Sequence, residues 1–189
     1  MMFKPGVVPM IETIFRRAAA KATWAFIVLL VLLAVSTGLR PGHAQAALPL
    51  WQDHRSVAGG FRIEFPGRPR VTTYERGGLT VSQSHFALGG QDFAAASTEL
   101  PSADVAVDSL FASIRTGVAS DGRLRSEDRK DTSGFPSMRL VIDKDRRTMI
   151  GLWVLKRNRL ITVIATGPSG FDADLASQRF LGSLLVSAD

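Results

Sequence analysis

Residues 61–65 read Phe-Arg-Ile-Glu-Phe, apolar and charged positions alternating until Pro66 stops them, which is the pattern of a strand with one buried face. Residues 71–76 and 79–88 flank Gly77-Gly78, a pair suited to the positive φ angles of a tight hairpin turn. A second hairpin is expected to run from 79–88 through Gly89-Gly90-Gln91 into 92–100. Beyond Pro101 the period lengthens: Val107, Leu110, Phe111, Ile114 and Val118 recur at spacings of three and four, predicting an amphipathic helix capped by Ser102 or Asp104 and ending near Gly122. A polar strand over 123–130, a turn over 132–136 and strands over 137–144, 148–156 and 159–166 follow. In 148–156, Met149, Trp153 and Leu155 fall on one face and Ile150, Leu152 and Val154 on the other, so this strand is expected to be central and covered on both sides. Gly167-Pro168 closes the meander. Asp172 is then placed to cap a last helix, running to about Leu184, whose Leu175, Phe180 and Leu181 pack on the sheet. The reading is an α+β domain: an antiparallel sheet of about seven or eight strands with two main helices.

Upstream of this domain the pattern changes character. Lys4, Arg16, Arg17 and Lys21 precede the uncharged run 22–35, followed by Gly38, Pro41, Gly42 and the small-residue triplet Ala44-Gln45-Ala46. A charged leader, an apolar run shorter than the ~20 residues of a membrane-spanning helix and a small-residue site together predict a secretory signal. Residues 1–46 are read as that signal, with scission between Ala46 and Ala47, 47–60 as a tether and 61–189 as a single domain. The protein is then exported, either periplasmic or secreted. The alternative is an uncleaved anchor, in which residues 36–39 extend the apolar run and hold the domain outside the cytoplasm at the inner membrane; membrane contact would run through that segment.

Charge and cysteine content narrow the function. The chain's formal charge of +6 suggests an anionic partner, but the signal carries five of its 23 basic residues and only one of its 17 acidic ones. The remaining 18 and 16 leave the domain near +2, so no nucleic acid partner is expected. The chain has no cysteine. That excludes lipidation at a signal site, disulfides, thiolate metal sites and cysteine nucleophiles.

The segments Gly60–Pro69 (GFRIEFPGRP), Gly134-Phe135-Pro136, Asn158-Arg159-Leu160 and Arg179-Phe180-Leu181-Gly182-Ser183 resemble a group of exported bacterial domains of uncharacterised function. Their order of elements is similar to the Mog1/PsbP-like α+β fold, an antiparallel sheet covered by helices. That resemblance implies a binding or assembly factor in place of an enzyme. The matching motifs are turns and strand ends and carry no chemistry of their own.

No nucleophile elbow, phosphate-binding glycine loop, zinc-binding His-Glu-x-x-His or calcium loop is present, and neither a metal nor a cofactor is expected. His54, in the tether, reads as an exposed loop residue. With 89–91 as the hairpin loop, pairing of 85 with 95, 83 with 97 and 81 with 99 puts Gln83, His85, Ser97 and Glu99 on one face, a serine, a base and a carboxylate that suggest a small hydrolase. Ala94, Ala95, Ala96 and Ser97 would floor a pocket beside it. Arg146-Arg147 and Lys156-Arg157-Arg159 are candidate anion-binding groups, lying about 27 Å apart at opposite ends of 148–156 at about 3.4 Å per residue. Arg123 and Arg125 are expected to join the first of these, and Arg129 and Lys130 the second. The expectation that emerges is a non-enzymatic envelope binding or assembly module, docking an envelope protein or surface component through the sheet or the hairpin ends. The alternatives are the Ser97/His85/Glu99 hydrolase and an anchored structural protein.

Overall fold

The computed structural model describes residues 50–102, 104–120 and 122–188; the expected signal, its scission at Ala46/Ala47 and the alternative anchor lie outside them. In chain order the elements are β1 (Gln52–Ser56), β2 (Phe61–Phe65), β3 (Arg70–Arg76), β4 (Leu79–Leu88), β5 (Gln91–Glu99), α1 (Val107–Ala119), β6 (Arg123–Thr132), β7 (Phe135–Lys144), β8 (Arg147–Lys156), β9 (Arg159–Pro168), a 3-10 turn (Phe171–Ala173), α2 (Leu175–Gly182) and β10 (Leu185–Val186). Among the described residues no helix is long and apolar enough to cross a membrane.

Seven strands form one antiparallel sheet in the order β3-β4-β5-β9-β8-β7-β6. After β5 the chain crosses this sheet through α1 to start β6 at the far edge, and the meander β6 to β9 brings it back to pair β9 with β5. The crossing lays the apolar stripe of α1 on one face. Leu110, Phe111, Ile114 and Val118 bury against Met138, Leu140, Ile142, Met149, Trp153 and Leu155.

The other face is closed by a second, three-stranded sheet, β1-β2-β10, together with the 3-10 turn and α2. Phe61, Ile63 and Phe65 of β2 point inward, as their alternation predicts, and meet Phe93, Ile150, Leu152, Val154 and Phe180. The strand β8 is indeed central, with Met149, Trp153 and Leu155 in the α1 layer and Ile150, Leu152 and Val154 in the opposite one.

Four details differ from the sequence reading. The stretch read as a tether holds β1, which pairs with β2 from Gln52↔Phe65 to Ser56↔Phe61, so β2 belongs to a separate small sheet and not to the main one. The start of α1 has no side-chain cap: its capping position is Ala106, and the Ser102 hydroxyl accepts from the Asp104 amide instead. Asp174, not Asp172, caps α2, its carboxylate accepting from the Ala176 amide at 2.8 Å. Leu175 at the start of α2 points outward and is 81% exposed, because the cap places it on the solvent side of the first turn.

Candidate functional site

The second hairpin decides the fate of the hydrolase strip. Gly89 and Gly90 both take positive φ, 57° and 79°, as a two-residue hairpin turn requires, and the strands close at Leu88↔Gln91. Gln91 is therefore a strand residue and not part of the loop. The register moves by one: His85 lies opposite Ala94, Gln83 opposite Ala96 and Ser82 opposite Ser97. With a side-chain period of two, a slip of one sends every side chain to the other face. His85 now shares a face with Ala94 and Ala96, while Ser97 and Glu99 face the layer of the small sheet. The expected Ser97/His85/Glu99 arrangement does not exist, and the floor proposed from Ala94 to Ser97 is divided between two faces. His85 Nε2 lies 3.4 Å from Asp92, whose other carboxylate oxygen accepts from Arg147 at 2.9 Å. Glu99 accepts from the Asn158 side-chain amide at 3.2 Å.

The basic clusters are likewise partly consumed by structure. Arg147 is held by Asp92. Lys156 is only 4% exposed; its ammonium donates to the Ser187 carbonyl at 2.6 Å and lies 5.7 Å from the centre of the Phe135 ring, tying down the chain that follows β10. Arg146 and Arg157 sit on the tight turns at either end of β8, at φ of 61° and 54°, and are exposed. Arg159 is half-buried on the strand beside Lys156, with which it is paired in register. Two of the five expected anion-binding side chains are thus engaged within the chain, Lys156 in the interior and the partly exposed Arg147 against Asp92. The other expected members are also engaged: Arg125 holds Asp143 and Asp172, and Arg129 holds Glu127 and Asp108.

His54, read from the sequence as an exposed loop residue, is half-buried. Its Nε2 shares a 2.8 Å hydrogen bond with the Ser84 hydroxyl on β4, and its ring meets Phe65 edge-on at 5.6 Å. This serine–histidine contact joins the two sheets. Ser84 is 4% exposed, so a substrate carbonyl has no approach to its oxygen while β1 is in place, and the carboxylate of neighbouring Asp53 is taken by Arg62 at 2.5 Å. Burial lowers the His54 pKa from 6.5 more strongly than the charge of Asp53 raises it. The folded state therefore favours neutral His54. Its contribution to stability is complete above 6.5 and is lost as pH falls toward the lower folded value. The urea midpoint is expected to drop between about pH 7.5 and about pH 5.5, and His54→Gln to flatten that drop. An unchanged pH slope in the variant would remove this role for the ring.

A cleft of about 360 Å³ opens between α2 and the sheet beside β6 and β7. Ile150, Leu152, Leu181 and Leu184 supply its apolar wall, and Lys130, Asp131, Thr132 and Gln178 its polar rim. Arg139 enters it from β7. This half-buried guanidinium makes no ion pair or side-chain hydrogen bond among the described residues, whereas Arg125, Arg129, Arg147 and Arg179 each hold a carboxylate. Its cross-strand neighbour Asp128 is paired with Lys130 at 3.7 Å. Asp172 also lines the cleft and is neutralised by Arg125 at 2.6 Å, Arg125 being the extra residue at the β-bulge between Leu124 and Ser126. Sequence reasoning missed Arg139. The available signal was a charge set between Met138 and Leu140 in a strand whose other central positions are apolar.

No family model matches the chain, and no curated protein matches it. Among solved structures it superposes on the solution structure of cyanobacterial PsbP (CyanoP) from Synechocystis sp. PCC 6803 with a TM-score of 0.54, over 79% of this chain and 98% of that one. The chain has a PsbP-like fold. At 14% identity the likeness is one of fold alone. A second structure, PA94 from Pseudomonas aeruginosa, a protein of unknown function, matches with a TM-score of 0.38 and 12% identity over 68% of this chain and 88% of that one. Within this PsbP-like fold, the cleft lies on the face that carries the small sheet, remote from the α1 layer.

Proposed function

We propose that this protein is a non-enzymatic binding or assembly module of the bacterial envelope, exported by residues 1–46 and working as the chain that begins at Ala47. The observation that carries the reading is the disposition of the two described histidines. His54 is bonded to a buried serine at the junction of the sheets, and His85 is turned away from Ser97 onto the face opposite it. Neither described histidine therefore stands with the accessible serine and the carboxylate that a hydrolase would need. The cleft beside Arg139 and the exposed hairpin ends at Arg146 and Arg157 remain as surfaces for recognition. The PsbP-like fold supports the same reading through the binding and assembly roles implied by the sequence resemblance.

Crosslinking in living cells, followed by purification of the exported chain, tests it. The expected result is a chain starting at Ala47 joined reproducibly to one envelope protein. Recovery of the chain without any reproducible partner would count against docking, and a retained N-terminal segment would replace secretion by anchoring.

A further inference from the structure

The geometry of the α2 cleft points to the C-terminal carboxylate of a partner protein as its occupant, an inference that rests on the docking role proposed above. A guanidinium half-withdrawn from water, as that of Arg139 is, gives up hydration, and it recovers that loss only through acceptors matched to its planar fork. No such acceptor is provided among the described residues, although the cross-strand Asp128 is near enough in register to have been one and is instead bonded to Lys130. Arg139 is therefore a cation available to a ligand.

The walls limit the ligand's charge. Asp131 and Asp172 line the same cleft, so a dianion such as a phosphate monoester meets two carboxylates, one of them already balanced by Arg125. A single negative charge fits better. Carboxylate also matches the guanidinium fork, with two parallel hydrogen bonds.

Shape and polarity limit it further. Ile150, Leu152, Leu181 and Leu184 offer an apolar surface next to the charge, which calls for an anion carried directly on an apolar body. The volume of about 360 Å³ stands at the lower end of the range for ligand pockets and accommodates only a short piece of chain. A chain end brings the carboxylate and an apolar last side chain together in that space, whereas an internal acidic residue brings two continuing strands of backbone with it. Gln178 at the rim retains a side-chain carbonyl able to accept a backbone N–H from the incoming chain, since its amide nitrogen is the atom that donates to Ala173.

The test uses acetyl-Leu-Leu with a free C-terminus, the same peptide as its C-terminal amide, and an amide-capped peptide with an internal aspartate. Each is titrated into the exported protein and followed by backbone NMR shifts of Leu152, Gln178 and Leu184. The free acid is expected to bind at least tenfold more tightly than either amide. Arg139→Met should weaken the acid at least tenfold and leave the amides unchanged, with Arg139→Lys intermediate and Arg70→Ala, an exposed change on β3 at the opposite edge of the sheet, without effect. Equal binding of acid and amide, equal binding of the internal aspartate, no shifts with any peptide, or an unaltered Arg139→Met would each overturn the assignment. Amide spectra of the variants establish that they are folded. Crosslinking separates this inference from the broader one. A partner captured equally well by wild type and Arg139→Met sinks the cleft assignment and leaves docking in place, whereas no partner for the wild type sinks docking itself.

Discussion

Replacing Phe93 by alanine is expected to cost about 3–5 kcal/mol of stability, the range for removing a large aromatic ring from a close-packed core. Phe93 is 0% exposed and stands on β5 at the junction of three elements. Its ring meets Trp51 at 6.4 Å, Phe171 at 5.9 Å and Phe180 at 5.2 Å, all edge-to-face. These neighbours come from the segment before β1, the 3-10 turn and α2, so one side chain holds the small-sheet layer to the main sheet. Urea unfolding of Phe93→Ala, with Phe93→Leu as the milder change, measures the effect. A loss below about 1 kcal/mol would show that the layers are joined elsewhere, since truncations at well-packed aromatic sites cost several times that.

Gly151→Ala is the second change with a large expected effect. Gly151 lies in the middle of β8, where glycine ordinarily weakens a strand, and its reason is on the α1 face. The indole of Trp153, two residues on and 2% exposed, folds back over it. A Cβ at position 151 would come within 2.1 Å of Trp153 Cη2 and 2.4 Å of Cζ3. Neither the ring nor the backbone can yield without disturbing Met138, Ile142 and the helix above them, and overpacking of this kind costs about 1–3 kcal/mol. The partner variant Trp153→Phe removes the colliding ring atoms. Combined with it, Gly151→Ala should lose much of its penalty, giving a non-additive double-mutant cycle; strict additivity would show that the glycine is retained for another reason.

These two sites illustrate how legible the chain was. Trp153 and its apolar neighbours announced a doubly covered strand, because a run that is apolar on both faces has no other stable place than the middle of a sheet. The helix α1 was equally plain from Leu110, Phe111, Ile114 and Val118. Gly151, by contrast, carries no mark of its purpose: its value depends on the rotamer of a neighbouring tryptophan. The same holds for the capping of α2, where Asp172 and Asp174 are both suitable residues and a 3-10 turn at Phe171–Ala173 gave the place to the second.

For the site the division is sharper. A single residue assigned to the wrong side of the turn, Gln91, was enough to assemble Ser97, His85 and Glu99 on one face in the sequence reading. The observed register disperses them. Loop length fixes register, and register fixes facing, so polar strips inferred across a hairpin are only as secure as the turn between them. His54 and Trp51 were hidden for a different reason: β1 is short and polar, and it forms because β2 offers it an edge.

What the sequence by itself determined is therefore the antiparallel α+β architecture, whose periodicities of two and three-to-four residues are local properties of the chain, and the exclusion of thiol chemistry by the lack of cysteine. Only the tertiary structure decided that β1, β2 and β10 form their own sheet, that His54 reaches Ser84, and that Arg139 enters a cleft while Arg147 and Lys156 are engaged within the chain. Burial and facing are set by partners far away in the chain, such as Asp92 for Arg147 and Ser187 for Lys156, and no local pattern of residues records which partner will arrive.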